Sequence, residues 1–458
     1  MENMHHHVSL GVTYFFAALL ASMIIALAME EKLHAKKSLI VGVFAIGSLL
    51  LASIIGIIPF GDVIIPGGVQ LHLPVYIESV DWEVIAIIIG SSLFVDVTSR
   101  SGLFSWIAVK LTKTSRGDPI KLLWYYGSMT VLFSAVLNNV TAMIIVGSLT
   151  GVSLNKLGRN NLLLGFLLTE GLLTNVGGLL TLISSVPNII VGNTAGISFV
   201  DFFIKASPYV VVTTIATLIL SSKIFKISAL KSDSEKLTAA DQIRSFDEND
   251  GVRSRGFFWF SSVALAAFIL TIATTSITPV IKDLGMGFVA MTFAVIVLTK
   301  FKHDVNEFYA AIDWDLILFF MSLFVVINVM EHAQVLSLIG QGVSWIIGDG
   351  TSSLGTAALL VTSSLFSSVT DNIPLSAMLA KILANLNISN DSSLWWSVVF
   401  GANLGGNITP IGSASTLVAA TIIHKYQLKM TFVDFVKTAS PFAVMQLFMA
   451  TVYVLVFL

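Results

Sequence analysis

The sequence predicts an all-α polytopic membrane protein of about ten transmembrane helices plus two re-entrant hairpins, arranged as two inverted-topology repeats with a broken helix in each. Three observations lead there. Of 458 residues, 55% are hydrophobic and 11% charged, whereas an ordinary soluble domain carries about 25% charged residues. Polar landmarks also recur in one order. Phe199-Val200-Asp201-Phe202 and Ala206-Ser207-Pro208 return as Phe432-Val433-Asp434-Phe435 and Ala439-Ser440-Pro441 at an offset of 233, Asp81-Trp82 returns as Asp313-Trp314 at 232, and Asn175-Val176-Gly177-Gly178 returns as Asn403-Leu404-Gly405-Gly406 at 228. Chance likeness between apolar helices would not keep such landmarks in sequence. Finally, each copy reads as five full crossings, and an odd number inverts the second copy relative to the first.

The elements follow in order. Apolar runs at residues 8–29, 38–58 and 82–97 read as three crossings, since about 20 apolar residues span the hydrocarbon core. The first is too long for a signal sequence and lacks its basic leader, so it reads as a retained span. Residues 102–111 form a shorter amphipathic stretch suited to the interface. Residues 122–137 and 140–149 are two short arms around the polar break Asn138-Asn139, which suits a re-entrant hairpin. Residues 161–192 form one apolar segment interrupted at Asn175 to Gly178, read as a crossing helix broken mid-membrane, and residues 203–220 close the copy. The polar stretch 223–255 is a linker, separating a first repeat, 1–222, from a second, 256–458. That second copy repeats the order with spans at 257–275, 285–298 and 314–330, a hairpin broken at Asp371-Asn372, a broken helix around Gly405-Gly406 and a last span from Val433.

Charge placement supports the count. With the N-terminus outside, only Lys205, Lys282 and Lys381 of the 25 basic residues fall outside, as the excess of Lys and Arg on cytoplasmic loops requires. The expected setting is therefore a prokaryotic plasma membrane, with both termini outside and the linker cytoplasmic. A net charge of −2 without a basic tract argues against nucleic acid, and the absence of cysteine excludes disulfides and thiolate metal sites. His5-His6-His7 reads as a frayed terminus rather than a metal site. The other histidines lie near span ends and there is no His-Glu-x-x-His, so neither a metal nor a nucleophilic constellation is available to an enzyme. No cofactor motif is present.

Irregular backbone survives in a bilayer only where protein buries it or it lines a wet cavity. The two hairpin tips and two glycine-rich breaks are four such places, in equivalent pairs. The expected binding set is Ser134, Asn138, Asn139 and Thr141 at one tip and Ser367, Asp371 and Asn372 at the other, with Asn175, Gly177 and Gly178 at one break and Asn403, Gly405, Gly406 and Asn407 at the other. Free carbonyls and amide oxygens there suit sodium, expected at Asn139, Gly177, Asp371, Asn372 and Gly405. The half-helix N-termini that follow the breaks suit an anion or a polar oxygen. The plainer reading of the glycines is tight helix packing. Asp371 is a carboxylate near the bilayer centre, where insertion costs about 2.5–3.5 kcal/mol, and is read as a proton or sodium site, as a cap on the second hairpin arm, or both. Glu170 offers either a coupling proton or a structural hydrogen bond. Asp96 and its counterpart Asn328 form a polar seam or a solvated helix end. Thr181, Ser184, Ser185, Pro187 and Asn188, with Thr409, Ser413, Ser415 and Thr416, line a path or satisfy backbone.

The stretches EGLLTNVGGLLTLISSVPNIIVGNTAGISFVDF, DNIPLSAML and LWWSVVFGANLGGNITPIGSASTLVAATI resemble the citrate-transporter-like permeases of the ion transporter superfamily. The nearest branch holds P-protein-like permeases, arsenite permeases and NhaD-type sodium/proton antiporters. The resemblance implies an inverted-repeat fold with a scaffold and a moving transport part, often a homodimer working by an elevator motion. It places Asn138-Asn139 and Asp371-Asn372 at the hairpin tips, and Asn175 to Gly178 and Asn403 to Gly406 in unwound helices. Where the branch commonly has Asp-Asn at the first tip this chain begins with Asn138, and Ser184-Ser185-Val186-Pro187 stands where relatives often have Gly-Asp-Pro-Pro. Neither tip carries the Ser-Asn-Thr of the dicarboxylate branch.

A secondary active transporter is the expected function, coupling a small inorganic ion or solute to a sodium or proton gradient. Sodium/proton antiport fits the remaining acids. Export of arsenite or a similar hydroxide fits the neutral tips, and sodium-coupled anion symport fits the paired half-helix N-termini. A passive channel calls for a continuous polar stripe or charged ring, which these few acids do not make.

Overall fold

A computed structural model describes residues 8–58, 62–64, 70–310, 312–348 and 352–458; His5, His6 and His7 lie outside the described residues. The first copy comprises α1 (Leu10–Ala28), α2 (Glu30–Leu33), α3 (Lys37–Ile55), a two-stranded antiparallel ladder of Asp62–Ile64 with Gln70–His72, α4 (Val75–Glu78), α5 (Trp82–Ser99), α6 (Leu103–Ser115), α7 (Pro119–Val136), α8 (Asn139–Lys156), α9 (Leu163–Gly177), α10 (Val186–Ala195) and α11 (Phe199–Ile224). After α12 (Asp233–Ile243) come α13 (Arg255–Thr274), α14 (Ile281–Lys300), α15 (Val305–Ala310), α16 (Trp314–His332), α17 (Val335–Ile347), α18 (Ser353–Ser367), α19 (Asn372–Asn385), α20 (Ser393–Gly405), α21 (Ala414–Lys425) and α22 (Phe432–Phe457). Among the described residues, eight helices are long and apolar enough to cross a membrane: α1, α3, α5, α11, α13, α14, α16 and α22. The residues expected to form the other two crossings fold as the interrupted pairs α9–α10 and α20–α21, whose helices are each shorter than a full span.

The repeated landmarks are helix starts. Asp81 accepts hydrogen bonds from the Glu83 and Val84 N–H groups at the head of α5, and its counterpart Asp313 accepts from Leu316 N–H at the head of α16. Ser198 and Thr431 cap α11 and α22 through the N–H groups of Asp201 and Asp434. A capping oxygen satisfies a donor that the first turn leaves unpaired, and in lipid there is no water to do so instead. The polar spacing therefore recurs because the helix starts recur.

Packing forms two kinds of layer. Helix α3 lies along α16, and α5 along α14, with α1 against α3 and α13 against α14. The hairpins α7–α8 and α18–α19 pack instead on α9 and α20, and α10 and α21 cross between the copies onto α19 and α8. Every residue of α20 after Ser393, and every residue of α9 except Leu164, is buried. A helix that is buried all round stands at the centre, so these two helices form the core. Outward-facing Val43, Ile54, Trp259 and Val444, each at least 66% exposed, present the apolar surface expected toward lipid.

Two expectations change. The first hairpin's arms are 18 residues each, Pro119–Val136 and Asn139–Lys156, rather than short. Asp118 caps the N–H groups of Ile120 and Lys121 just before Pro119, a combination that starts a helix, and α8 runs on through polar residues to Lys156. The breaks also begin later than Asn175 and Asn403: α9 stays helical through Gly177 and α20 through Gly405, leaving the non-α segments 178–185, which holds a short 3-10 turn at Leu182–Ser184, and 406–413. Helix-weak residues mark the neighbourhood of a break, but buried backbone keeps its helical bonds until a substitute partner is at hand.

The stretch 223–255 is folded back on its neighbours rather than extended. Ser232 and Glu235 form a capping box at α12, Phe246 is buried beneath the Lys156 ammonium at 5.0 Å, and Glu248 pairs with Lys113 and with Lys110 at 3.9 Å. The hydrogen bond from Lys113 holds the Glu248 carboxyl below its usual value. A depressed folded-state value stabilises the docked segment above the ordinary Glu range, about 4.3, and that contribution disappears as pH falls through the folded value. Limited proteolysis within 223–255 is expected to accelerate as pH drops below about 4, and Glu248→Gln is expected to give the faster cleavage already at neutral pH, with little change in global melting.

Candidate functional site

The site is built where the ends of α9 and α20 meet both hairpins. Gly177 and Gly405 bring the helices together: a Cβ on Gly177 would lie 2.7 Å from the Val131 backbone, and one on Gly405 would lie 2.3 Å from the Ser364 carbonyl. Real Cβ atoms do not approach so closely, so only glycine permits these crossings. At that approach Ser134 donates to Thr174 O at 2.6 Å, and its counterpart Ser367 donates to Ala402 O at 2.6 Å. One step further on, Thr181 donates to Ala135 O and Thr409 to Ser368 O, both at 2.5 Å. Each break is thus tied to its own hairpin by the same two hydroxyls.

Cross-copy bonds then join the two breaks. Asn175 donates from Nδ2 to Asn407 Oδ1 at 2.8 Å and Ser413 Oγ at 2.9 Å, and its Oδ1 accepts from Ser415 at 3.0 Å and Asn139 Nδ2 at 3.3 Å. Asn403 donates to Asn188 Oδ1 at 2.9 Å and Val399 O at 2.8 Å, and accepts from Ser185 at 2.8 Å. Because Ser185 and Ser413 are equivalent at offset 228, the two asparagines make reciprocal bonds. Ser413 also caps α21 through Thr416 N–H. The Gly178 carbonyl accepts from Ser184 and Asn188, and the Gly406 carbonyl from Thr416 at 3.3 Å. Ser134, Asn139, Asn175, Asn407, Ser413 and Ser415 therefore form one neutral lattice of amides and hydroxyls, and Ser185, Asn188 and Asn403 a second, smaller cluster. Their oxygens are ones a small cation could share, and their N–H and O–H groups ones an oxyanion could share.

The remaining expected residues take other partners or make room for this lattice. Asn138 caps α8 through Thr141 N–H at 2.8 Å. Gly178 makes room for Asn139, whose amide atoms lie 2.7 Å from where its Cβ would be, and Gly406 does the same for Ser413. Asp371 caps α19, accepting from Ile373 N–H at 3.0 Å, while its other oxygen meets Lys37 Nζ at 2.7 Å; because Lys37 is the first residue of α3, the expected place near the bilayer centre gives way to one beside the end of a span. Asn372 opens α19 and its carbonyl accepts from Ser376 at 2.6 Å. Glu170 is 1% exposed; Thr150 donates to its Oε1 at 2.6 Å, and Oε2 has no hydrogen-bond partner among the described residues. Asp96 is not brought to the lattice. It forms an ion pair with Arg100 at 2.9 Å that lacks hydrogen-bond direction, and Arg100 also reaches Glu307. Its counterpart Asn328 donates to Ser79 at 2.7 Å, so these two make no common seam.

Two residues join the site without having been expected. Gln446 accepts from Asn407 Nδ2 at 2.8 Å and donates to Thr217 at 3.1 Å; a lone amide in an otherwise apolar span is the signal that could have revealed it. Lys37 meets the second tip across 334 residues of sequence, which no local pattern announces.

A sequence model of the citrate transporter family matches residues 24–401. The chain belongs to that family. This citrate-transporter-family protein is 28% identical over 379 residues to the 46 kDa membrane protein of Mycobacterium leprae, covering 82% of this chain and 86% of that one. It is 24% identical over 527 residues to the P protein of Mus musculus, covering 98% of this chain and 63% of that one. Its fold is similar to that of the Alcanivorax borkumensis YdaH transporter, with a TM-score of 0.61 at 13% identity over 92% of this chain and 98% of that one. The citrate-transporter-family chain is accordingly an integral membrane transporter of almost wholly helical fold.

Proposed function

We propose that the protein is a secondary active transporter that exchanges sodium for protons across a prokaryotic plasma membrane, binding the ion at the lattice where the two breaks and two hairpins meet. The observation that carries this reading is the reciprocal bonding of Asn175 to Ser413 and of Asn403 to Ser185, which ties the two copies together through two neutral, oxygen-rich clusters. Glu170 stands five residues before Asn175 on the same buried helix, with one carboxylate oxygen unpartnered among the described residues. A carboxylate that takes either a proton or sodium makes the two compete, which is the requirement for exchange. In this reading the repeats are 1–222 and 256–458, inverted about the linker 223–255, with both termini outside. The hairpins and broken helices move as a transport part against α3, α5, α14 and α16 in a homodimer.

A second reading, anion symport with sodium, rests on α10 and α21, which begin at the lattice with partly positive N-termini; the family's description names citrate. Export of arsenite or a similar small hydroxide would use the same neutral groups. Flux in proteoliposomes separates them. Sodium added to vesicles holding an imposed pH gradient is expected to collapse that gradient, and Asp371→Asn is expected to reduce the response to below about one-tenth. Citrate- or arsenite-dependent flux with sodium-insensitive pH would overturn antiport.

A further inference from the structure

The two hairpin tips are equivalent in position but not in charge, and the structure shows what accompanies the difference. Asp371 at the second tip is matched at offset 233 by Asn138 at the first. Both cap the following helix. Asp371 uses Oδ1 for the cap, at 3.0 Å from Ile373 N, and its Oδ2 is held by Lys37 at 2.7 Å. That second oxygen is the one a coupling cation would take.

Lys37 is the first residue of α3, where the helix end is itself partly positive and an ammonium is disfavoured; its position serves the carboxylates around it rather than its own helix. Glu30 lies 4.0 Å from the same Nζ, and the neighbouring Ser38 donates to Asp315. The other copy supplies a comparison. Glu83 is equivalent to Asp315 at offset 232, and it accepts from Met286 N–H at 3.0 Å. Met286 therefore stands where Ser38 stands, and the residue before it, corresponding to Lys37, is Gly285. There φ is +78° and a Cβ would lie 2.7 Å from Glu83 Oε1. Where the tip is a carboxylate the facing position is lysine; where the tip is an amide the corresponding position has no side chain at all.

Lys37 also comes from the other packing group. Helix α3 lies on α16 and α1, whereas the hairpin α18–α19 lies mainly on α20 and α17. A contact across that division must open if the hairpin moves relative to α3.

We propose that the Lys37 ammonium is the tethered counter-cation of Asp371: it fills the cation position at the second hairpin tip, competes with sodium there, and leaves the carboxylate when the ion arrives or the hairpin shifts. The proposal rests on the transporter reading above and adds to its lattice site a cation position at Asp371, whose access Lys37 regulates.

The test titrates purified protein with sodium chloride at constant ionic strength and reads the shift of the thermal unfolding midpoint. Apparent affinity is reduced by the fraction of time the site is open, so a pair closed about nine-tenths of the time weakens sodium binding about tenfold. Lys37→Gln and, as a second neutral variant, Lys37→Ala are expected to reach half-maximal stabilisation at about one-tenth of the wild-type sodium concentration. Lys37→Arg is expected to keep the wild-type value, and Asp371→Asn and the double variant Lys37→Gln/Asp371→Asn to lose the sodium-dependent shift. Neutral variants with the same sodium dependence as wild type, or with none, overturn the proposal, as does a full shift in the double variant. Wild-type protein that shows these binding shifts yet drives no sodium-dependent pH change in vesicles overturns the antiport reading and leaves the role of Lys37 standing.

Discussion

Gly405→Ala is expected to prevent stable folding of the transport core. Its new methyl carbon would sit 2.3 Å from the Ser364 carbonyl and 2.7 Å from Ser367 Cβ, and neither neighbour is the flexible end of a side chain. Relief requires α18 and α20 to separate, which breaks the Ser367 bond to Ala402 and moves Asn403 away from Ser185. Overpacking alone costs about 1–3 kcal/mol, and each buried polar group left unpaired about 1–3 kcal/mol more. The expected result is a fall of several degrees in the unfolding midpoint, at about 1–2 °C per kcal/mol for a chain of this length, or loss of monodisperse protein on fluorescence-detected size-exclusion chromatography. Gly342→Ala, where no atom of the described residues lies within 4 Å of the new one, is expected to be neutral. Equal behaviour of the two variants would show that the α18–α20 approach is looser than 2.3 Å implies.

Glu170→Gln is expected to do the opposite, keeping the fold and removing coupling. The amide is the same size, and its oxygen can still accept from Thr150 as Glu170 Oε1 does at 2.6 Å. What disappears is the exchangeable proton. Sodium-driven pH change in vesicles is expected to fall below about one-tenth of wild type throughout the accessible pH range, while the unfolding midpoint stays level or rises because no charge needs burying. Thr150→Val, which strips the Oε1 partner but keeps the carboxyl, is expected to shift the pH profile of exchange and leave its maximum near wild type. Full exchange in Glu170→Gln would make the residue structural.

The architecture was legible in the sequence to the extent that it depends on local chemistry. Hydropathy marks spans because a crossing needs an unbroken apolar run, and the helix-start residues Asp81 and Asp313, like Asn138 and Asp371, are visible because a cap must stand beside the turn it satisfies. Such features lie within a few residues of what they act on. The breaks were less legible. Asn175, Gly177, Asn403 and Gly405 suggested unwinding, yet all four are helical; the glycines are there for the contacts with Val131 and Ser364, which belong to another helix.

The same distinction separates what sequence alone determined about this protein from what only the tertiary structure decided. Membrane residence, the order of spans, the duplicated plan and the four polar landmarks follow from composition and spacing. The fate of each polar group does not. Asp96 goes to Arg100, Asn403 joins Asn188 and Ser185, Glu170 keeps one oxygen without a partner, and Asp371 is met by a lysine 334 residues away. A hydrogen bond or ion pair forms over about 3 Å in space, and distance along the chain carries almost no information about distance in space once helices from both copies have packed around one centre.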